Sequence, residues 1–267
     1  MKIFDCVTFY NENLVSNIRF NILNDLVDYF VICESKYDHQ GQKKNINFDL
    51  NLHKEFKNKI IHVIVEEKFP ENFNSWQRQA YQRECIFRGL EKASSDDYIM
   101  FSDPDEIPNP EKLKNFNLEK KFGIFLQKIY TFKINLFNSY ETPWEGTRIT
   151  KKKNLKSINW MRQKVRTKNM RYPFWRIDKE KNIQTIQDGG WHFSYLMNEF
   201  DISKKLKTFA HEEFSNAKFS STKIIKRNIE QKKDLFGRNH IYTKIEIDES
   251  FPEYIRKNIL KFKEYII

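Results

Sequence analysis

The stretch Asp97-Tyr-Ile-Met-Phe-Ser-Asp-Pro-Asp-Glu-Ile-Pro108 contains a buried strand and the acidic loop that follows it. The apolar run from Tyr98 to Phe101 is typical of a short strand covered on both faces. Pro104 and Pro108 cannot donate to a β ladder, so the acidic residues beside them are expected in a loop at the carboxyl end of the strand. In an open α/β sheet, that edge is where ligands bind.

Three carboxylates follow one another closely in this loop, those of Asp103, Asp105 and Glu106. Their mutual repulsion is relieved by a cation, and hard divalent ions such as Mg²⁺ or Mn²⁺ prefer oxygen ligands of this kind. The alternative is a solvated acidic turn in which Asp103 caps a short helix. The buried strand that runs directly into the cluster favours a metal site.

The chain before this loop alternates between strand and helix patterns. Strands are predicted over 3–10, 28–35 and 60–65, and helices over 14–26, 53–57 and 74–93. With the strand at Tyr98, the order β-α-β-α-β-α-β predicts an α/β fold with a Rossmann-type, mostly parallel sheet flanked by helices. Its connections are expected to be right-handed crossovers.

After the acidic loop the pattern changes. Residues 123–137 alternate in the manner of an antiparallel strand, and 143–150 are predicted as a loop that leads into another strand. Residues 157–168 are predicted as a short helix with Arg162 and Arg166 on a basic face. Helices are then predicted over 202–211, 223–235 and 252–265. We therefore expect a single domain with a helical C-terminal segment over 201–267.

Two basic side chains have both a structural and a functional interpretation. Arg83 lies in the middle of an otherwise apolar helix stripe, so it requires a carboxylate, a phosphate or carbonyl groups. It forms a structural salt bridge or reaches the acidic loop. His192 follows two adjacent glycines in Asp188-Gly-Gly-Trp-His-Phe-Ser-Tyr195. It is either a satisfied core residue or a further metal ligand.

Composition limits the class of protein. The net charge of +11 favours an anionic partner, which could be a nucleotide, a nucleic acid or an anionic membrane. Cys6, Cys33 and Cys85 show no metal-site spacing, and their odd number argues against a disulfide framework, so a reducing compartment is expected. No signal peptide or membrane span is evident.

Several stretches together resemble glycosyltransferase family 17, whose members include the β-1,4-mannosyl-glycoprotein N-acetylglucosaminyltransferase and many bacterial and viral proteins. The resemblance rests on Phe4-Asp-Cys-Val-Thr-Phe-Tyr-Asn-Glu12, Phe30-Val-Ile-Cys-Glu-Ser35, Trp76-Gln-Arg-Gln-Ala-Tyr-Gln-Arg83, Phe101-Ser-Asp-Pro-Asp-Glu-Ile-Pro108 and Gly189-Gly-Trp-His-Phe-Ser194. These stretches span most of the chain in the family's order. A bacterial or viral member is expected.

The resemblance implies a GT-A-like fold and inverting transfer of a sugar from a nucleotide-sugar donor, with UDP-GlcNAc favoured and with Mn²⁺ or Mg²⁺ as cofactor. Residues 1–110 would form the nucleotide-sugar-binding half and 111–200 the acceptor half. Asp103, Asp105 and His192 would bind the metal, and Asp103 would also approach the ribose. The remaining donor-site residues implied are Thr8, Tyr10, Glu12, Glu34, Arg83, Arg148 and Trp191.

Inversion by a single displacement requires a general base for the acceptor hydroxyl. The sequence offers Glu106, Glu145 and Asp188 and does not choose between them. Trp144, beside Glu145, would stack on an acceptor sugar.

The expected acceptor is a glycan, a glycolipid or a surface-polysaccharide precursor. A cytoplasmic location is expected, with peripheral contact between the basic surface and an anionic membrane. The main rival is a nucleic-acid-binding protein or metal-dependent nuclease, which the charge would suit. The basic residues form no single stripe, so no nucleic-acid partner is expected. An inactive sugar-binding relative is the other alternative.

Overall fold

The computed structural model describes residues 1–163, 165, 168–208 and 217–267. Their β-strands, in chain order, are β1 (Ile3–Phe9), β2 (Tyr29–Ser35), β3 (Ile60–Val65), β4 (Tyr98–Ser102), β5 (Glu106–Pro108), β6 (Phe122–Thr131), β7 (Leu136–Phe137), β8 (Trp144–Lys151), β9 (Ile183–Ile186), β10 (Gly190–Ser194) and β11 (Thr243–Lys244).

The α-helices of the same residues are α1 (Asn13–Leu23), α2 (Ser75–Glu84), α3 (Ile158–Met161), α4 (Glu199–Thr208), α5 (Ala217–Ser220), α6 (Thr222–Glu230) and α7 (Glu253–Lys257). Short 3₁₀ helices lie at Leu50–Phe56, Cys85–Gly89 and Ile259–Tyr265, among others. Within the described ranges, no helix is both long and apolar enough to cross a membrane.

The strands form one large sheet whose main path runs β11-β7-β6-β8-β4-β1-β2-β3. The half built from β4, β1, β2 and β3 is parallel, so the carboxyl ends of these strands meet at one edge. In the other half, β8 runs antiparallel to both β4 and β6. Strand β10 lies between β6, to which it is parallel, and β5, to which it is antiparallel.

Apolar layers cover both faces of the parallel half. In β1, Phe4 and Cys6 contribute to one buried cluster and Val7 and Phe9 to the other, as the alternation of side chains along a strand requires. Helix α1 packs on the second layer through Phe20 and Leu23. The predicted α/β fold with a large central sheet and flanking helices is confirmed, although the parallel ladders dominate only in the first half.

Several predicted elements are shorter than expected. The helix predicted to Ala93 ends at Glu84 and continues as the 3₁₀ turn Cys85–Gly89, because Gly89 allows the turn to pack directly against Val31 and Val63 of the sheet. The long strand predicted over 123–137 breaks where Phe132 adopts a φ of +68°. Both are local bends that hydrophobic periodicity does not report.

The described part of the C-terminal segment contains helices α4 to α7, whereas residues 231–252 are mostly turns and loops. Strand β11 pairs with β7, which attaches the segment to the edge of the sheet. The helix predicted over 252–265 divides at Asn258 into α7 and a 3₁₀ helix. The helix predicted over 202–211 is described as far as Thr208, and its end at His211, like Arg166 of the predicted basic face, lies outside the described residues.

Candidate active site

A short antiparallel ladder places His192 beside the acidic loop. Strand β5 begins at Glu106, directly after a tight turn. In this turn the backbone nitrogen of Glu106 donates to the carbonyl of Asp103. His192 is the ladder partner of Glu106, and Phe193 N donates to the carbonyl of Asp105 at 2.8 Å. The loop and the Gly-Gly-Trp-His segment, which are distant in sequence, therefore meet at the carboxyl end of β4.

Two glycines make this close approach feasible. A Cβ atom on Gly189 would lie 2.6 Å from the backbone nitrogen of Leu126. Gly190 has a φ of +129°, and a Cβ there would collide with the carbonyl of Ile107. The glycine pair thus allows β10 to fit between β5 and β6 and to present His192 to the acidic loop.

Asp105 and His192 form a buried polar pair. Nε2 of His192 lies 3.4 Å from Oδ1 of Asp105, and both side chains are 12% exposed. Burial alone lowers the pKa of His192, but the charge of Asp105 outweighs it and raises that pKa above its usual value. Nδ1 of His192 is buried and has no hydrogen-bond partner among the described residues.

Asp103 is held by two arginines instead. Arg83 Nη2 donates to Oδ1 at 3.2 Å, and Arg162 donates to Oδ2 from Nε at 3.1 Å and from Nη2 at 2.6 Å. Burial raises the pKa of Asp103, but Arg162 and Arg83 together hold it well below its usual range. The carboxylate is therefore ionised, and both of its oxygens are already engaged by guanidinium groups.

Glu106 is fully buried and links the loop to the indole of Trp144. Its Oε1 accepts from Trp144 Nε1 at 2.6 Å and from Arg162 Nη2 at 3.0 Å, and its Oε2 accepts from the backbone nitrogen of Asp103 at 3.0 Å. The ring of Trp144 in turn lies 5.2 Å from the imidazole of His192. Glu106 therefore fixes the loop and the tryptophan relative to each other.

One cavity of about 430 Å³ extends over this region. At one end it is lined by the carboxyl ends of β1 and β2 with the loop that follows β2, including Thr8, Tyr10, Asp38 and His39. Asp103, Asp105, Trp144 and His192 line its middle. The predicted residues that line this cavity are Thr8, Tyr10, Glu12, Asp103, Asp105, Trp144 and His192.

The β1–β2 end of the cavity carries a neutral histidine. Nε2 of His39 lies 2.9 Å from Oε1 of Gln82, whose amide nitrogen donates to the carbonyl of Cys33 at 3.0 Å. Because burial dominates its surroundings, the pKa of His39 is lowered to about 4. A neutral imidazole and amide groups at this end suit an uncharged nucleobase.

The other end of the cavity is formed by the C-terminal segment. Arg238 donates to Asp234 from Nε and Nη2 and to Glu141 Oε1 from Nη1, the last at 2.9 Å. Tyr242 also donates to Asp234, at 3.1 Å. Glu141 is 31% exposed, which makes it an accessible carboxylate at this end.

Three predicted site residues are held by structural partners. Glu34 is fully buried and accepts hydrogen bonds from Lys44 and from the backbone nitrogens of Asn47 and Phe48, so it orders the loop after β2. Glu145 Oε2 accepts from Val165 N at 2.8 Å. Arg148 is buried and donates to the carbonyls of Glu145 and Gly146. None of the three lines the cavity.

Asp188 and Trp191 lie on a different surface. Both line an open groove of about 810 Å³ that also includes Tyr254. Trp191 Nε1 donates to the carbonyl of Ser250 at 3.0 Å, and Asp188 is exposed with a φ of +48°. Of the three general-base candidates, Glu106 and Glu145 are buried and hydrogen-bonded and Asp188 faces this groove.

Lys205, Glu141 and Arg238 are among the cavity residues that sequence reasoning missed. Lys205 Nζ lies 3.1 Å from Glu12 Oε1 and 3.9 Å from Asp105 Oδ2. In the sequence it belongs to a run of lysines on an amphipathic helix, a pattern that normally indicates a solvated face. Only its position one helical turn from buried Ile202 sets it apart, and that is too weak a signal to identify a site residue.

The donor groups fit a divalent cation in part. Across the described ranges, no three His, Cys, Asp or Glu side chains converge as a ligand set. Asp105 and His192 nevertheless supply one oxygen and one nitrogen side by side in the cavity. Mg²⁺ is commonly held by one or two carboxylates together with substrate phosphates and water. The pair therefore fits a cation whose remaining ligands come from a bound diphosphate, whereas Asp103 is occupied by its arginines.

Comparisons with known proteins agree with the resemblance in the sequence. The family model for glycosyltransferase family 17 matches residues 1–257. The β-1,4-mannosyl-glycoprotein 4-β-N-acetylglucosaminyltransferases of Rattus norvegicus and Homo sapiens are each 26% identical over 117 residues, which cover 40% of this chain and 22% of theirs. A solved glycosyltransferase involved in glycosylation of the major capsid of PBCV-1 aligns at 11% identity, covering 70% of this chain and 82% of its own, with a TM-score of 0.34.

The chain belongs to glycosyltransferase family 17. The prediction of the family from the sequence is confirmed. The matched region spans only 22% of the length of the curated rat and human relatives, so their whole-protein activity is carried over only as a proposal.

Proposed function

We propose that this protein transfers a sugar from a nucleotide-diphosphate donor to a hydroxyl group of a glycan or glycolipid, with inversion at the anomeric carbon. The observation that supports this most is the cavity that the Asp105–His192 pair lines together with the carboxyl ends of β1 and β2 and with carboxylates and aromatic rings of the C-terminal segment. Membership in the family points to the same activity.

The nucleoside is assigned to the β1–β2 end. Thr8, Tyr10 and the His39–Gln82 pair offer hydroxyl, imidazole and amide groups there. These groups can form hydrogen bonds to a base and a ribose. We propose a uridine nucleotide, and UDP-GlcNAc as the donor, because the matched rat and human relatives are named as N-acetylglucosaminyltransferases.

Asp105 and His192 are assigned to a Mn²⁺ or Mg²⁺ ion. When bound, such an ion supplies Lewis-acid stabilisation to the charge of a departing diphosphate. Arg83 and Arg162 neutralise Asp103, so its carboxylate adds little repulsion towards the phosphates. In this assignment Asp103 positions the loop.

Trp144 and Glu141 are assigned to the acceptor side. The indole nitrogen of Trp144 donates to Glu106, and the tryptophan lines the cavity. Its aromatic ring therefore offers a surface on which a sugar ring can pack. Glu141 is the general base of this proposal, because it lines the cavity at the acceptor end while the carboxylates of Glu106 and Glu145 are buried. It would take the proton of the acceptor hydroxyl as that oxygen attacks the anomeric carbon.

The direct test is calorimetric titration of UDP-GlcNAc, UDP-glucose, UDP-galactose and GDP-mannose, each with and without Mn²⁺. We expect one UDP-sugar to bind in a Mn²⁺-dependent manner to the wild type, and this dependence to be lost in Asp105→Asn. Exposed Asp188→Asn on the other groove is the matched control and should behave as wild type. If none of the four donors binds with or without Mn²⁺, the proposed function is wrong.

A further inference from the structure

A lysine from the C-terminal segment reaches the centre of the cavity. Helix α4 buries Ile202 and Leu206 against Phe132 and Leu136 of the sheet half that carries β6 and β7. Ser203 Oγ also donates to the carbonyl of Ser220 at 2.6 Å. The helix is therefore fixed by packing on one face, and its position determines where Lys205 points.

Lys205 is a buried cation between two carboxylates. Its side chain is 14% exposed and its Nζ lies 3.1 Å from Glu12 Oε1, 3.9 Å from Asp105 Oδ2 and 5.6 Å from the ring centroid of Tyr195. An amine held between two carboxylates carries its positive charge at neutral pH.

The two carboxylates around Lys205 differ in their other hydrogen-bond and ion-pair partners. Glu12 also accepts from the backbone nitrogens of Tyr10 and Asn11 through Oε2, at 2.9 and 3.0 Å, so it is fixed at the end of β1. Asp105 is shared between Lys205 and His192. When a divalent ion binds Asp105, the ammonium group keeps its contact with Glu12 and lies close to any anion that the ion binds.

We propose that Lys205 is a catalytic residue that binds the diphosphate of the nucleotide donor and stabilises the charge on it as it leaves. This inference rests on the proposed function. In the step concerned, the bond between the anomeric carbon and the β-phosphate oxygen breaks, and its electron pair stays on the diphosphate. The acceptor oxygen forms the new bond to carbon, and its proton passes to a carboxylate base. Lys205 keeps its proton throughout and acts only as a charge.

Through Lys205, the C-terminal segment, which lines part of the cavity, would contact the donor directly. Phosphate oxygens bound by an ammonium group form charge-assisted hydrogen bonds, which are stronger than neutral ones. The donor would thus contact both the first strands and α4. Its diphosphate would bridge the parallel half of the sheet and the C-terminal segment.

The test uses Lys205→Met, which keeps the length of the side chain and removes its charge, Lys205→Arg, which keeps the charge, and Lys207→Met as a matched control. Lys207 is exposed on the same helix and does not line the cavity. Two probes are measured on each full-length protein: UDP or GDP by calorimetry in EDTA and in Mn²⁺, and Mn²⁺ alone by the electron paramagnetic resonance signal of the free ion.

Lys205→Met is expected to change the affinities for the two probes in opposite directions. Lys205→Met should weaken binding of the nucleoside diphosphate in EDTA about 10- to 100-fold, the usual effect of losing a charged hydrogen bond. It should tighten binding of Mn²⁺ alone by about tenfold, because a positive charge beside Asp105 is gone. Lys205→Arg should recover most of the diphosphate affinity, and Lys207→Met should match wild type in both measurements.

Each other outcome has a definite meaning. If Lys205→Met weakens both Mn²⁺ and nucleotide binding, the lysine only supports the fold and the inference is wrong. If the variant binds the nucleoside diphosphate as wild type does, the inference is wrong while the proposed function stands. If wild-type protein binds neither UDP nor GDP in either condition, the proposed function fails, and the inference fails with it.

Discussion

Arg162 donates to Oδ2 of Asp103 from two nitrogens, at 3.1 and 2.6 Å, while Arg83 occupies Oδ1 from the opposite side. Two guanidinium groups thus share one carboxylate at the start of the acidic loop. Asp105, two residues later, faces His192 and Lys205 instead. The two aspartates of one short motif therefore have different electrostatic surroundings, and different roles are expected of them.

Substitutions of Asp103 and Asp105 should have different effects on stability and on Mn²⁺-dependent nucleotide binding. Asp103→Asn leaves Arg83 without a carboxylate partner and leaves Arg162 with Glu106 alone, so we expect a loss of about 2–4 kcal/mol in the free energy of unfolding. Asp105→Asn should cost less stability, since Lys205 keeps Glu12 as a partner. It should abolish the effect of Mn²⁺ on nucleotide binding. Urea unfolding and calorimetry of both variants measure the two effects.

The contrary result is also clear. If Asp103→Asn is as stable as wild type and loses only the Mn²⁺ effect, then Asp103 is a metal ligand as the family resemblance implies, and the two arginines are not its principal partners during binding. Equal loss of stability in both variants would mean that the two carboxylates have no separate roles.

Arg19 connects helix α1 to the strands that carry the site. It donates to both carboxylate oxygens of Asp5, to the carbonyl of Glu106 and to Ser102 Oγ, and its side chain is 1% exposed. Arg19→Met strands a buried carboxylate, so we expect a loss of about 3–5 kcal/mol in the free energy of unfolding, measured in urea.

A double variant distinguishes the effect of the buried ion pair from the effect of the contact between Arg19 and the acidic loop. Combining Arg19→Met with Asp5→Leu removes both buried charges, and most of the lost stability should return, because well-packed apolar side chains can replace a buried ion pair. The contact to the carbonyl of Glu106 does not return. The double variant should therefore fold but bind nucleotide less tightly than wild type. A double variant with wild-type nucleotide affinity would show that Arg19 has no part in placing the acidic loop.

The sequence predicts the parallel half of the fold well because its signals are local. Strand β4 and the acidic loop follow from an apolar run and two prolines. The direction in which each carboxylate points is not local. Glu145 points away from the cavity because Val165 N and Arg148 hold it, and Glu141 points in because the C-terminal segment supplies Arg238. Such partners are set by tertiary packing, which one sequence does not reveal.

Glu141 and Glu145 form a matched pair for testing the general base. Glu141→Gln should lower kcat about 10²- to 10⁴-fold with nucleotide affinity unchanged, as expected for loss of a general base. Arg238 keeps its contacts with Asp234, so the local structure should persist. Glu145→Gln should lower stability and change kcat only slightly. Steady-state kinetics with the donor found by titration measures both. The opposite pattern would return the role to Glu145, one of the residues predicted from the sequence.

His39 should contribute an acid-sensitive component of stability. Its pKa is lowered to about 4 in the folded protein, because burial disfavours the charged form, and is near its usual value when unfolded. Between these values the unfolded chain binds more protons, so the free energy of unfolding rises with pH there. The contribution is fully present above about pH 6.5 and is lost as pH falls towards about 4, with no further loss below.

The measurement is urea unfolding of wild type and His39→Asn from pH 7.5 to 3.5. Carboxylates titrate in the lower part of this range in both proteins, so the difference between the two curves isolates the histidine. Wild type should lose more stability than the variant between about pH 6.5 and 4, by up to about 1.4 kcal/mol for each unit by which the pKa is lowered. Parallel curves would mean that His39 is as accessible to protons in the folded protein as in the unfolded chain. In that case a neutral imidazole at the nucleobase end of the cavity would no longer be supported.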